Sequence, residues 1–550
     1  MRKLFLSCLM ALGVVATALA QPTFRNPVIN ADVPDISVCK VADTYYMVST
    51  TMHLMPGAPI MKSKDMVNWE IISYVFDRID DGDRYNLIGG TAYGQGQWAS
   101  SIRYHMGKFY VWFTANGAPG KGFVYSADRA EGPWHLVARP PHMHDGSLFF
   151  DEDGRVYMFC ETGRLIELRP DLTGKLDGGI DKKLFELDDE ERGALLEGSS
   201  VFKHNGKYYL CMISMKWGVP GRYRREVCYR ADNIEGPYEK KVILESPFET
   251  YGGVGQGCLV GDEQSDKGWM ALIFQDRGGV GRVPCAMPVT WIDGWPMCGE
   301  RVTPEHEGEV TKADFRVPSD LSKKHPSVNG VIGSDEFDRQ PVNPDGAYHA
   351  RMGLKLYWQW NHNPVDEAWS LTERPGYLRL KTARVVDNLN VAPNTLTQRM
   401  AGPECTGSIS VDASKMKDGD ICGLAALNGD SGVLRLVKRG SKLVLQLTEE
   451  KAKFGRNKSV DRVDVEVIEE VPLKKKVVYL RLHGDFNPRR DKASFSYSLD
   501  GNEWISIGRE IAMNFDYQRH FMGSKFAIFN YATKQTGGYV DVDWFHFVNE

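Results

Sequence analysis

The chain has no Cys-x-x-C pair and no Cys/His cluster in its 550 residues, which excludes a fold built around zinc. It has no surplus of positive charge. Its 67 Lys and Arg against 72 Asp and Glu give a formal net charge of −5, so nucleic acid is not an expected partner. Past the N-terminus no apolar run approaches the ~20 residues that span a bilayer. Long stretches of helical periodicity are also missing. With 42% hydrophobic and 25% charged residues, the chain is not of the disordered class either. What remains is rich in Gly (55), Trp (13), Tyr (23) and Phe (24), a mixture that suits an all-β protein meeting a flat polar ring. The length calls for more than one domain.

The N-terminus has the form of an export signal. Arg2 and Lys3 precede an apolar run from Leu4 to Ala16, and Ala18-Leu19-Ala20 offers a cleavage site before Gln21. Residues 1–20 are thus expected to be removed on passage across the inner membrane, with the periplasm as destination. Cys8 leaves with them, and the nine remaining cysteines lie largely in strand-like apolar runs, where buried free thiols are expected.

Short alternating segments separated by turn residues fill the next 300 positions. A turn followed by paired aromatic or apolar residues recurs five times. The copies are Asp43-Thr44-Tyr45-Tyr46, Gly107-Lys108-Phe109-Tyr110, Gly154-Arg155-Val156-Tyr157, Gly206-Lys207-Tyr208-Tyr209 and, more weakly, Lys267-Gly268-Trp269-Met270. Repeats of this size with several strands each are propeller blades, and five is the count.

The first strand of a blade lines the central axis, so residues at its start converge. Counting back 11 to 14 residues from each marker reaches Asp35, Trp98, Asp145, Glu197 and Gln256. Acids are depleted in strands, and three of them in phase point to an active site rather than to solvated turns. Carboxyls gathered in one pocket suit glycoside cleavage, where one must donate a proton and another must activate water. Trp98 would stack on a sugar face and Gln256 would bond its hydroxyls.

Residues 25–300 resemble glycoside hydrolase family 43. The resemblance rests on Asn26-Pro27-Val28 with Asp32-Val33-Pro34-Asp35, on His144-Asp145-Gly146-Ser147, on Leu196-Glu197-Gly198 and on Gly281-Arg282. It implies a five-bladed β-propeller in which Asp35 is the general base, Glu197 the general acid and Asp145 a pKa modulator. It also implies that Arg282 contacts the sugar and that cleavage inverts the anomeric centre. Gln256 stands where many members carry an axial His linked to a cation, so no cofactor is required on this reading and no metal ligand is assigned in the pocket.

The propeller is expected over 21–316 and a linker over 317–332. The second domain, 333–550, reads as a β-sandwich and resembles the concanavalin-A-like domain (a jelly roll) found behind β-xylosidase propellers. Trp358, Trp360 and His362 are expected in core or interface packing, with a wall of the pocket as the alternative. Asp335, Glu336 and Asp543 are the residues that could hold a structural calcium. The resulting expectation is an exo-acting inverting glycosidase releasing α-L-arabinofuranosyl groups from plant cell-wall glycans. A β-xylosidase acting on xylo-oligosaccharides (a xylan 1,4-β-xylosidase) is the alternative, and a non-catalytic sugar-binding propeller a third.

Overall fold

The computed structural model describes residues 23–302 (without 118–120, 190, 193 and 216–223), 315–316, 328–341 and 348–550 (without 456–457). The expected signal, residues 1–20, lies outside the described residues, as do positions 317–327 of the expected linker.

Five four-stranded antiparallel sheets follow one another along the chain. Blade I is Ser37–Val41, Thr44–Val48, Gly57–Ser63 and Glu70–Phe76. Blade II is Gly96–His105, Lys108–Asn116, Gly122–Ala127 and His135–Ala138. Blade III is Ser147–Phe150, Val156–Cys160, Arg164–Leu168 and Asp181–Lys183. Blade IV is Leu195–His204, Lys207–Met215, Arg224–Ala231 and Glu239–Leu244. Blade V is Gly257–Val260, Met270–Asp276, Arg282–Ile292 and Trp295–Cys298. The repeated marker of the sequence is the hairpin joining the first two strands of each blade. In blades II and IV its turn is Met106-Gly107 (φ 47 and 82) and Asn205-Gly206 (φ 48 and 77). Two successive positive φ values match the right-handed twist of the flanking strands, which is why glycine recurs there.

Apolar side chains fuse neighbouring blades. Ile60, Phe76, Ile102 and Phe113 join I to II, and Trp112, Leu148 and Met158 join II to III. Phe149, Phe159, Leu210 and Met212 join III to IV, and Cys211, Ile243, Ile273 and Met287 join IV to V. Between V and I the cluster of Val38, Met47, Cys258 and Leu272 continues into the second domain as far as Trp358 and Phe526. The segment before blade I runs along the third strand of blade V. There the Asn26 amide brackets Ala286, and Val33 N–H donates to the Arg282 carbonyl at 2.9 Å.

The second domain is a sandwich of two large antiparallel sheets. One runs in the order Val460–Leu473, Lys442–Phe454, Asp430–Arg439, Asp420–Leu427, Lys525–Ala532, Leu396–Arg399, Gln359–Asn361. Its last strand is Leu54–Met55, lent by a loop of blade I. The other sheet centres on Tyr539–Asn549, Glu404–Asp412 and Val477–Asp485. Strand Val477–Asp485 shows the expected period of two, with Val478, Leu480 and Leu482 buried on one face. At the end of the expected linker, Val331 and Ile332 are buried rather than free. All nine described cysteines are free, and eight are buried.

Candidate active site

The five in-phase residues meet at the axis. Asp35, Asp145 and Gln256 stand just ahead of the first strands of blades I, III and V, while Trp98 and Glu197 lie within those of blades II and IV. The first three take positive φ (50, 47 and 69), a conformation few side chains adopt and one that often marks functional sites. In blades II and IV the same place carries a bulge, between Gln97 and Ser100 and between Glu197 and Ser200. Bulges re-aim side chains. A cavity of about 20 Å³ is lined from all five blades, by Asp35, Asp145 and Gln256 with Ser37, Ser100 and Ser200.

Asp35 is 8% exposed, and its Oδ1 accepts from Arg282 Nη1 at 2.8 Å. Burial raises its pKa, and the charge of Arg282 opposes that rise without cancelling it. Arg282 is itself buried, under the ring of Phe521 at 4.7 Å. Asp145 is 7% exposed, and its Oδ2 accepts from Gly198 N–H at 3.1 Å. Burial, reinforced by the charges of Glu197 and Asp35, pushes Asp145 up to about 7 against the pull of His144. Gly198 is needed at its place: its φ is 71, and a Cβ there would lie 2.6 Å from Gln256 Cγ.

Glu197 is the most open of the three acids, with its side chain 27% exposed. His144 Nε2 lies 3.3 Å from Glu197 Oε2 and 3.7 Å from Asp145 Oδ1. The hydrogen bond to Glu197, with the charges of all three carboxyls, pushes His144 up to about 9. Among the described residues, His144, Asp145 and Glu197 form the one group of three whose donor atoms lie within 4.8 Å of one another, close enough for a cation. The His144–Glu197 hydrogen bond instead satisfies two of them with a shared proton.

Trp98 donates its Nε1–H to Gly94 O at 3.1 Å, and its ring lies 5.5 Å from that of Phe521 and 6.0 Å from that of His144. Behind it Gln97 is pinned, accepting from Thr51 N–H at 2.7 Å and donating to Ser100 Oγ at 2.6 Å. The Gln256 N–H donates to Glu226 Oε2 at 2.9 Å, and burial pushes Glu226 up to about 8.

Sequence reasoning missed several residues here. His144 was visible within its motif but received no role. Phe521, with φ 57, comes from a sandwich loop braced by Arg519, whose Nη1 bonds Asp430 at 2.9 Å. Tyr517, from the same loop, donates to Asp276 Oδ2 at 2.9 Å, and Arg224 pairs with that carboxylate at 2.6 Å. Asp32, quoted only as part of the opening motif, accepts from Arg282 N–H, Gly523 N–H and Lys525 Nζ, which ties Asp35, blade V and the loop into one unit. The loop of residues 515–522 therefore occupies the place considered for Trp358, Trp360 and His362. Those three are buried in core and interface, with His362 Nε2 accepting from Ala92 N–H at 2.9 Å. Arg282, expected to contact the sugar, is buried beside Asp35. Of the acids considered for calcium, Asp335 accepts from Trp358 Nε1–H at 2.8 Å and from Phe337 N–H at 3.0 Å, and Glu336 pairs with His546 at 2.9 Å.

Known proteins resemble this arrangement along most of the chain. The model of glycosyl hydrolases family 43 matches residues 24–296, and that of the beta xylosidase C-terminal concanavalin A-like domain matches residues 350–548. A beta-xylosidase of Formosa agariphila is 29% identical, over 95% of this chain and 90% of its own length. A non-reducing end alpha-L-arabinofuranosidase of Bacteroides ovatus is 29% identical, over 77% of each. A solved structure described as a bifunctional GH43-CE protein of Bacteroides eggerthii superposes with a TM-score of 0.84 at 40% identity, over 96% of this chain. This chain spans 64% of that protein's length.

Proposed function

Since the chain belongs to glycosyl hydrolases family 43 and is a glycosidase, we propose that it removes single terminal pentosyl groups from plant-derived glycans, with inversion, using Asp35 as base and Glu197 as acid. In this reading Asp35 takes a proton from the water that attacks the anomeric carbon, while Glu197 protonates the departing oxygen. The observation that carries it is the convergence of Asp35, Asp145 and Glu197 from three blades, under a wall formed by Phe521 and Trp98. The raised pKa of Asp35 makes its carboxylate a stronger proton acceptor. The more exposed Glu197 stands nearer the mouth, where the remainder of a glycan leaves. Asp145 holds Gly198 and, with it, the backbone beside Glu197. A wall contributed by a second domain closes one side of the pocket, which favours chain ends over internal linkages.

The sequence alone put arabinofuranose first. A relative described as a beta-xylosidase, matching 95% of this chain, and a second domain of the β-xylosidase type support β-xylosyl groups ahead of α-L-arabinofuranosyl groups. The arabinofuranosidase of Bacteroides ovatus keeps the second reading in play. Paired rates on nitrophenyl β-D-xyloside and nitrophenyl α-L-arabinofuranoside test the order. Cleavage of the arabinofuranoside alone reverses it, and cleavage of neither sinks the pentosidase reading. The N-terminal leader supports export to the periplasm, where such glycan fragments would be met.

A further inference from the structure

The contact between His144 and Glu197 asks where the leaving-group proton is kept. We propose that His144 is a positioning residue that stores this proton and passes it to Glu197, an inference that rests on Glu197 being the general acid. The two residues come from successive blades, and His144 Nε2 stands 3.3 Å from Glu197 Oε2. Both side chains are about one third exposed, at 32% and 27%, so they reach the pocket mouth rather than its floor. The imidazole is held in place by Trp98, with ring centroids 6.0 Å apart, and by the parallel ring of His142 at 6.3 Å.

Three carboxyls act on this imidazole: Glu197 from blade IV, Asp145 beside it in the chain and Asp35 from blade I. His142 is the titratable neighbour on its other side. A free glutamate titrates at about 4.3, which by itself leaves an acid catalyst without its proton at neutral pH. An imidazolium hydrogen-bonded to the carboxyl keeps a proton one contact away from the oxygen that must donate it. The same surroundings push the His144 imidazole up to about 9, so the imidazole favours its protonated form across the neutral range.

The step balances. Nε2–H of His144 gives its proton to Glu197 Oε2, and the Glu197 proton passes to the glycosidic oxygen as that oxygen's bond to the anomeric carbon breaks. Water bonds to the anomeric carbon and its proton goes to Asp35. Asp35 then releases that proton to solvent, and His144 takes one up.

The test is the pH dependence of kcat/KM for the wild type, His144→Phe and His144→Gln, on a nitrophenyl pentoside and on a pentose oligosaccharide. The wild-type alkaline limb is expected above pH 8, and in both variants it should move to lower pH by more than one unit. The loss at pH 7.5 should be at least tenfold greater on the oligosaccharide, whose leaving oxygen needs the proton more. A wild-type limb below pH 7, or variant limbs that stay in place or move to higher pH, overturns the proposal. Glu197→Gln separates the two readings: if it retains full rate on the oligosaccharide, the acid assignment itself fails. If it is inactive while the His144 limbs do not move, only the role of His144 fails.

Discussion

Arg282 Nη1 and Asp35 Oδ1 form a 2.8 Å ion pair with both side chains under 10% exposed, at the point where blade V meets blade I. The buried carboxylate depends on this guanidinium, because burial alone drives a carboxyl toward its neutral form. The same guanidinium carries Phe521 of the sandwich loop on its face, so one cation serves both the base and the wall.

Replacing Arg282 by Met removes the opposing charge and leaves burial to raise Asp35 further. The acidic limb of kcat/KM, set by protonation of the base, should move to higher pH, and kcat/KM at pH 6 should fall by about 10²–10³-fold. Breaking a buried pair by removing one partner also costs about 3–5 kcal/mol of stability. Arg282→Lys should recover part of the rate. A pH–rate profile with a parallel thermal melt checks each point.

Phe521→Ala should open the wall between Trp98 and Arg282. The expected outcome is a KM for the nitrophenyl pentoside raised by about tenfold, in line with about 1–3 kcal/mol for a lost pocket contact. Rates on oligosaccharides with branched ends should fall less than rates on the small substrate. An unchanged KM would remove Phe521 from the pocket.

The interface between the domains contains three buried histidines, with His53 centred 4.8 Å from His362 and 5.4 Å from His520. Asn361 Nδ2 donates to Tyr93 Oη, so its Oδ1 accepts from His53 Nε2–H, while His362 Nε2 accepts from Ala92 N–H. Burial pushes His362 and His520 down to about 3 and His53 well below its ordinary value. Folded values below the unfolded one of about 6.5 mean that the neutral rings stabilise fully above pH 6.5 and lose that stability as pH falls toward 3. Melting temperatures should therefore drop steeply from pH 6.5 to pH 4, each histidine contributing up to about 1.4 kcal/mol per pH unit. His520→Gln should flatten the slope.

Mature protein recovered from the periplasm should begin at Gln21, which intact-mass measurement reads directly. A mass that includes Met1 to Ala20 contradicts export by cleavage of this leader.

The sequence made the propeller and its in-phase acids legible because both are periodic. Met106-Gly107 and Asn205-Gly206 are local turn chemistry, and Asp35, Asp145 and Glu197 each keep a nearly constant distance from the hairpin of their own blade. Non-periodic partners were not legible. His144 and Glu197 are 53 residues apart, and nothing near either one announces that their side chains touch. Arg282 and Phe521 are separated by 239 residues, and their contact depends on distant ties of the loop to the propeller, from Asp32 to Gly523 and Lys525 and from Tyr517 to Asp276. Trp358, Trp360 and His362 stood out by composition, but buried aromatics at a domain boundary leave the same mark as a pocket wall.

The central claim is hydrolysis by direct attack of water activated by Asp35, and the anomer released first tests it most directly. Proton NMR of a nitrophenyl β-D-xyloside digest, recorded before mutarotation, should show α-xylose as the initial product, absent with Asp35→Asn. β-Xylose as the initial product would mean a covalent intermediate and would contradict the account.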